Sequence, residues 1–245
     1  LARIGLVGGS GLDHWGETAR ALAPGDRPFG APSADPGVFT VAGHELLFLP
    51  RHGKDHAIAP QRVNYRANIH ALREAGATAV LAVNAVGSLD RSLGPGALAV
   101  PDQLIDYTWG REGSFHDGKS GLLDHVEFAE PFSDAWRRRL FEAGEAAGVR
   151  LRPGGCLGVT QGPRLETAAE IHRLGRDGCR LVGMTSLPEA ALAREAGLGY
   201  ACLAAVANFA AGVSNEPITL EAIEATLTDA MRDVRAVVQA LLEHL

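Results

Sequence analysis

Apolar positions along the chain cluster into short runs at 4–7, 45–49, 78–83, 156–160, 180–184 and 200–207. Runs of this length, rich in Val, Ile, Leu and Ala and closed by polar or glycine residues, predict buried strands. Between them the apolar residues return at three- and four-residue spacing, which predicts helices over 64–75, 134–147, 167–176, 188–196 and 220–245. In the last of these, Ile223, Leu227, Val234, Val238 and Leu241 share one face. Alternating strands and helices predict a single-domain α/β fold over 1–245, with a central mixed β-sheet flanked by helices. The segment 24–37, rich in Pro, Gly and Ala, lies between strand-like stretches and reads as a surface loop, not a domain boundary.

In open α/β sheets ligands collect beyond the carboxyl ends of strands. Here those ends are polar or glycine-rich: GGSG, PRHG, NAVGSL, TQGPRLE, MTSLPEA and NFAAG follow the six runs in order. They predict one shared site. Gly8-Gly9-Ser10-Gly11 offers backbone amides and the Ser10 hydroxyl to an anion, or forms a tight turn without a ligand. It is not a dinucleotide fingerprint, because His14 stands where the last glycine of GxGxxG belongs. Arg51-His52-Gly53 supplies a fixed cation and a hydrogen-bond donor suited to an oxyanion, or a surface turn. His52 and His56 have the spacing of a helical metal pair, but Gly53 lies between them and no third ligand clusters nearby, so no metal is expected. Glu166 reads either as a first-turn acid favoured by a helix dipole or as a ligand-facing carboxylate. Met184 and Thr185 could be ordinary strand-end residues. Asn208 either caps the strand's own backbone or faces a ligand.

Charge narrows the partners. A formal net charge of −6 argues against a general nucleic-acid or membrane-surface role. Cys156, Cys179 and Cys202 form no CxxC pair and cannot all be bridged, which fits a reducing, cytoplasmic setting. The chain opens on the strand-like RIGLV instead of a signal peptide, and no apolar run reaches the roughly 18 residues of a membrane span. Residues 113–120, GSFHDGKS, match GxxxxGK[ST], yet the following GLLDHVEFAEPF lacks the helical period a phosphate-binding P-loop requires.

Taken together, IGLVGGSGL, PRHGKDHAIAPQRVNYRANIHAL, VNAVGSL, GPRLETAAE, VGMTSLPEAALAREAGLGYACLA and NFAAG resemble the purine nucleoside phosphorylase and methylthioadenosine phosphorylase family, in order and over nearly the whole chain. The resemblance implies a homotrimer that uses a purine nucleoside and inorganic phosphate as co-substrates, with no metal or organic cofactor. Phosphate attacks the anomeric carbon and releases a free purine. By matching motif, Ser10, Arg51, His52, Asn84, the Ala85 amide and Thr185 would hold phosphate, and Met184 would lie along the ribose. Asn208 and Glu166 would be the catalytic, base-reading pair, with Leu165 where the family stacks an aromatic on the base. Leu220 and Ile223 would lie near the 5′ substituent, and His125 would reach a neighbouring subunit's site.

The resemblance also implies a substrate. The adenine-specific methylthioadenosine enzymes carry aspartates where this chain has Asn208 and Ala210, and a serine in place of Glu166. A 6-oxopurine presents an O6 acceptor and an N1–H donor, which suit the Asn208 amide and the Glu166 carboxylate. Apolar Leu220 and Ile223, with no histidine in that helix before His244, favour a 5′-methylthio group over a hydroxyl. Methylthioinosine is therefore the expected substrate. Methylthioadenosine, inosine or guanosine are alternatives, and a P-loop nucleotide-binding module is the reading from another class.

Overall fold

The computed structural model describes residues 1–16, 19–22, 25–116, 118 and 123–245. Among these the chain runs β1 (Arg3–Gly8), β2 (Arg20–Ala21), β3 (Gly37–Val41), β4 (His44–Pro50), α1 (Tyr65–Glu74), β5 (Ala79–Ser88) and β6 (Leu98–Asp106). It continues through α2 (Asp134–Ala146), β7 (Leu151–Val159), α3 (Ala168–Arg176), β8 (Cys179–Gly183), α4 (Ser186–Glu195), β9 (Gly199–Phe209) and α5 (Leu220–Glu243). The strands form one mixed sheet in the order β2-β3-β4-β1-β5-β8-β7-β6-β9, and β9 pairs back onto β5. Strands β5, β8, β7, β6 and β9 therefore close a ring, from which β1, β4, β3 and β2 extend as an open wing. No helix among the described residues is long and apolar enough to cross a membrane.

The unbroken apolar runs follow from burial on both faces. Along β9, Tyr200, Cys202, Ala204 and Val206 enter one core, while Ala201, Leu203, Ala205 and Ala207 enter the other. On the second side, Leu227, Val234, Val238 and Leu241 of α5 pack with Leu140 of α2, as the spacing in α5 predicts. Helices α1 and α4 pack together on the first side. Helix starts are set by side chains: Asn64, Ser133 and Thr219 each accept from a backbone N–H of the first turn of α1, α2 and α5.

The strands depart from the predicted pattern: β2, β3 and β6 match none of the six apolar runs, and β7 begins at Leu151, ahead of its run. Strand β6 was hidden because Pro101 interrupts it, and proline there is tolerated only at a register shift against β7. Strand β3 begins on Gly37, the last residue of the stretch read as loop. Strands β5 and β9 also continue past their apolar runs, so Asn84, Ala85 and Asn208 lie inside strands and not beyond them.

Candidate active site

Residues that follow β1, β4, β7 and β8, with residues inside β5 and β9, surround a cavity of about 460 Å³. Ser10, Arg51, His52, Asn84, Ala85, Leu165, Glu166, Met184, Thr185, Asn208, Leu220 and Ile223 all border it. His125 does not; it is exposed in the irregular segment ahead of α2. Asp117, Lys119 and Ser120 of the P-loop match lie outside the described residues. The described residues on either side, 107–116 and 123–133, form neither the strand nor the helix that such a loop joins.

One end of the cavity is built on a close approach of backbones. A Cβ on Gly9 would sit 2.6 Å from the Val83 carbonyl oxygen and 2.9 Å from Arg51 Nη1, so only glycine fits there. Arg51 is fully buried, and its guanidinium forks onto Glu189, Nε to Oε2 at 2.7 Å and Nη2 to Oε1 at 2.8 Å. Tyr200 Oη also donates to Glu189 Oε1 at 2.9 Å, and Arg51 Nη1 donates to the Val83 carbonyl at 3.2 Å. Burial opposes the charge on Arg51, but the Glu189 carboxylate outweighs it and holds the guanidinium protonated. Arg51 is thus the fixed cation the sequence suggested, with its charge paired to Glu189. The pair is neutral overall, and Arg51 offers the cavity only the donors it does not spend on Glu189 and Val83.

His52 is likewise held by a neighbouring group. Its Nδ1 lies 2.7 Å from the Ile58 carbonyl, an acceptor, so Nδ1 carries the proton and Nε2 keeps a lone pair. Burial, and after it the Arg51 charge, pushes the His52 imidazole down to about 4. At neutral pH it therefore accepts a hydrogen bond through Nε2, where the sequence suggested a donor. The His52 and His56 rings lie with centroids 4.6 Å apart and planes tilted by 39°.

Asn84 Nδ2 lies 2.7 Å from Ser186 Oγ, and its Oδ1 is buried without a partner. A hydroxyl both donates and accepts, so the amide can equally be reversed, with Ser186 donating to the oxygen and the NH2 left for a ligand. Thr185 precedes α4 and makes no capping bond, which leaves its hydroxyl uncommitted. Leu187 is extended, so α4 is regular only from Pro188, the start the periodicity predicts.

At the opposite end stand Glu166 and Asn208. The α3 N-terminus is capped by Thr167 and Glu170, each side chain bonding the other's backbone N–H. The first-turn role open to Glu166 is therefore already filled. Instead Thr160 Oγ1 donates to Glu166 Oε1 at 2.5 Å, fixing the carboxylate at the cavity wall. On β9 the register slips between Val86 and Gly87 of β5, so Val206 opposes Val86 but Asn208 opposes Gly87. The extra residue, Ala207, is a β-bulge, and Ala207 and Asn208 both border the cavity. Asn208 Nδ2 donates to the Phe209 carbonyl at 2.7 Å, leaving one N–H and the amide oxygen. Between the two ends lie Met184 and an apolar rim of Ile218, Leu220 and Ile223, with Leu220 77% exposed.

A family model described as the phosphorylase superfamily matches residues 3–243. The chain belongs to the phosphorylase superfamily. It is 48% identical to the probable S-methyl-5′-thioinosine phosphorylase of Xanthomonas campestris pv. campestris over 98% of this chain and 94% of that one. To the probable S-methyl-5′-thioinosine phosphorylase of Pseudomonas syringae pv. tomato it is 49% identical over 97% of each. The structure superposes on methylthioadenosine phosphorylase from Schistosoma mansoni in complex with adenine, with a TM-score of 0.91, 32% identity and coverage of 99% and 91%. The expected fold is confirmed by that likeness, and the chain is a pentosyltransferase of the purine nucleoside phosphorylase type.

Three residues at or behind the cavity escaped the sequence reading. Glu189 sits in an apolar helix, and a fully buried carboxylate there needs a buried cation, a signal that could have paired it with Arg51. His56 borders the cavity, and its value was lost when the metal reading was set aside. Arg111 left no sequence signal. Its Nη1 donates to the Met184 and Leu187 carbonyls at 2.8 and 2.7 Å and its Nη2 to the Gln161 carbonyl at 2.9 Å, tying together the segments that follow β7 and β8.

Proposed function

We propose that this phosphorylase cleaves S-methyl-5′-thioinosine with inorganic phosphate, giving hypoxanthine and 5-methylthioribose 1-phosphate. The observation that carries the reading is the Glu166 carboxylate, fixed by Thr160 and sharing a cavity with Asn208. An ionised carboxylate only accepts, so it favours a purine edge with N1–H and opposes adenine, whose N1 carries a lone pair. The remaining N–H of Asn208 donates to O6 or N7. Both side chains are half-buried here, and polar pairs that a bound base covers completely discriminate by roughly 10⁴ when the wrong edge leaves them unpaired. The names of the two bacterial relatives agree with this substrate.

In this reading, phosphate lies against Ser10, Arg51, His52, Asn84, Ala85 and Thr185, and one of its oxygens attacks C1′. The C1′–N9 bond breaks with its electron pair going to the purine, and the C1′–O bond forms. The proton given up by the hydrogen phosphate balances the one gained by the purine nitrogen. The sugar is oxocarbenium-like in between, so the adjacent phosphate stabilises it by charge while serving as nucleophile. Hydroxyl and amide donors suit this role because the Arg51–Glu189 pair is neutral overall. Met184 lines the ribose, and Ile218, Leu220 and Ile223 receive the methylthio group. The exposure of Leu220 fits a trimer in which a neighbour's His125 covers this rim. No cofactor is required.

Phosphate-dependent base release from methylthioinosine, methylthioadenosine and inosine, measured side by side, tests the reading. Methylthioinosine is expected to give the highest kcat/KM. A higher value for either of the others removes the assigned substrate while keeping the enzyme class.

A further inference from the structure

Beside the anion end of the cavity, three polar side chains form a chain. Asp13 Oδ1 lies 3.1 Å from His56 Nδ1, and His56 Nε2 lies 3.2 Å from Ser10 Oγ. Asp13 and Ser10 come from the turn after β1, and His56 comes from the loop after β4, so two separate segments meet here. His56 also has φ 51°, a left-handed conformation in which glycine is favoured over any side chain. Neither packing nor a helix cap accounts for the imidazole, since the His56 side chain is 43% exposed. What it does touch is Asp13, Ser10 and the His52 ring.

We infer that Asp13 and His56 are positioning residues of the phosphate site: Asp13 orients the His56 ring, and His56 holds the Ser10 hydroxyl on a fixed axis toward the bound anion. The inference rests on the phosphorolytic reading of the cavity. A serine hydroxyl rotates freely about its C–O bond, so a single contact to His56 Nε2 selects which of its remaining valences faces the cavity. With the ring nitrogen accepting, Ser10 turns a lone pair to a protonated phosphate oxygen. With the ring nitrogen donating, Ser10 turns its O–H to an anionic one. In both states the carboxylate on Nδ1 keeps the imidazole from swinging away, the role an orienting acid plays beside a histidine. Arg51, which spends two of its nitrogens on Glu189, leaves part of the work of holding the anion to such neutral donors.

The test is a mutant cycle read in steady-state kinetics with whichever nucleoside the wild type cleaves. His56→Gly, which suits the left-handed backbone, and Asp13→Ala are each expected to raise the phosphate KM about fivefold or more while moving the nucleoside KM less than about twofold. Because His56 acts through Ser10, the His56→Gly factor measured in a Ser10→Ala background is expected to fall below about half its wild-type value. A factor that keeps more than half its value, or a phosphate KM changed less than about threefold in both single variants, overturns the inference. His56→Asn tolerates the same backbone and cannot span to Ser10, so it gives the same reading should the glycine variant unfold. Absence of phosphate-dependent release by the wild type overturns the phosphorolytic reading itself, an outcome visible before any variant is made.

Discussion

Replacing Glu189 by glutamine isolates the ion pair beneath the anion end of the cavity. Arg51 and Glu189 are both completely buried and joined by two hydrogen bonds, with Tyr200 donating a third to the carboxylate. Removing one partner of such a pair leaves an uncompensated buried charge and costs about 3–5 kcal/mol. Glutamine preserves the shape and one acceptor, so the lower figure, about 3 kcal/mol, is expected for Glu189→Gln. In a chain of this size each kcal/mol moves the midpoint by about 2–4 °C, giving a loss of about 6–12 °C. Phosphate at a hundredfold its Kd stabilises a folded protein by about 2.7 kcal/mol, and it should restore more than that in the variant, whose unpaired guanidinium attracts the anion more strongly. Urea and thermal unfolding with and without phosphate measure both quantities. A loss under about 1 kcal/mol, or a smaller phosphate effect in the variant than in the wild type, refutes the reasoning.

Two more outcomes are expected at the site. His52 sits at about 4 in the folded protein against 6.5 ordinarily, so between those values the unfolded chain binds the extra proton. Its contribution of about 3 kcal/mol is complete above pH 6.5, is lost as pH falls toward 4, and should vanish from the pH slope of urea stability in His52→Gln. Asn208→Asp should lower kcat/KM for methylthioinosine by about 10–100-fold and raise it for methylthioadenosine, since the new carboxylate accepts from a 6-amino group and opposes O6. An unchanged preference ratio would take Asn208 out of base recognition.

Much of the architecture was readable because burial on both sheet faces writes strands as continuous apolar runs and caps write helix starts. Thr167, four residues before Ile171, marks α3 to within one residue of its observed start. Pro101 hid β6 because a proline argues against a strand unless a register shift absorbs it, and such a shift is a property of the pairing, not of the run. The sequence's candidates other than His125 do border one cavity, since strand ends converge whatever their detailed order. Their electrostatics were not legible. Arg51 and His52 look like a cation and a donor until Glu189, 138 positions from Arg51, and the Ile58 carbonyl are brought against them. Interactions at that separation depend on the ring of strands closing, which no local window reports.

The bulge at Ala207 makes recognition in this protein a matter of phase as well as identity. With period-two alternation, an inserted residue reverses the face of every side chain after it, and here that reversal falls one position before Asn208. In an unbulged β9 of the same sequence, Asn208 would oppose Ser88, which does not border the cavity, in place of Gly87, which does. Under the proposed role of Asn208, a single-residue insertion or deletion in this strand would change which side chain meets the base. Alignments that compare only which residue stands at the strand end would miss such an event, because the information lies in the frame in which the strand is read.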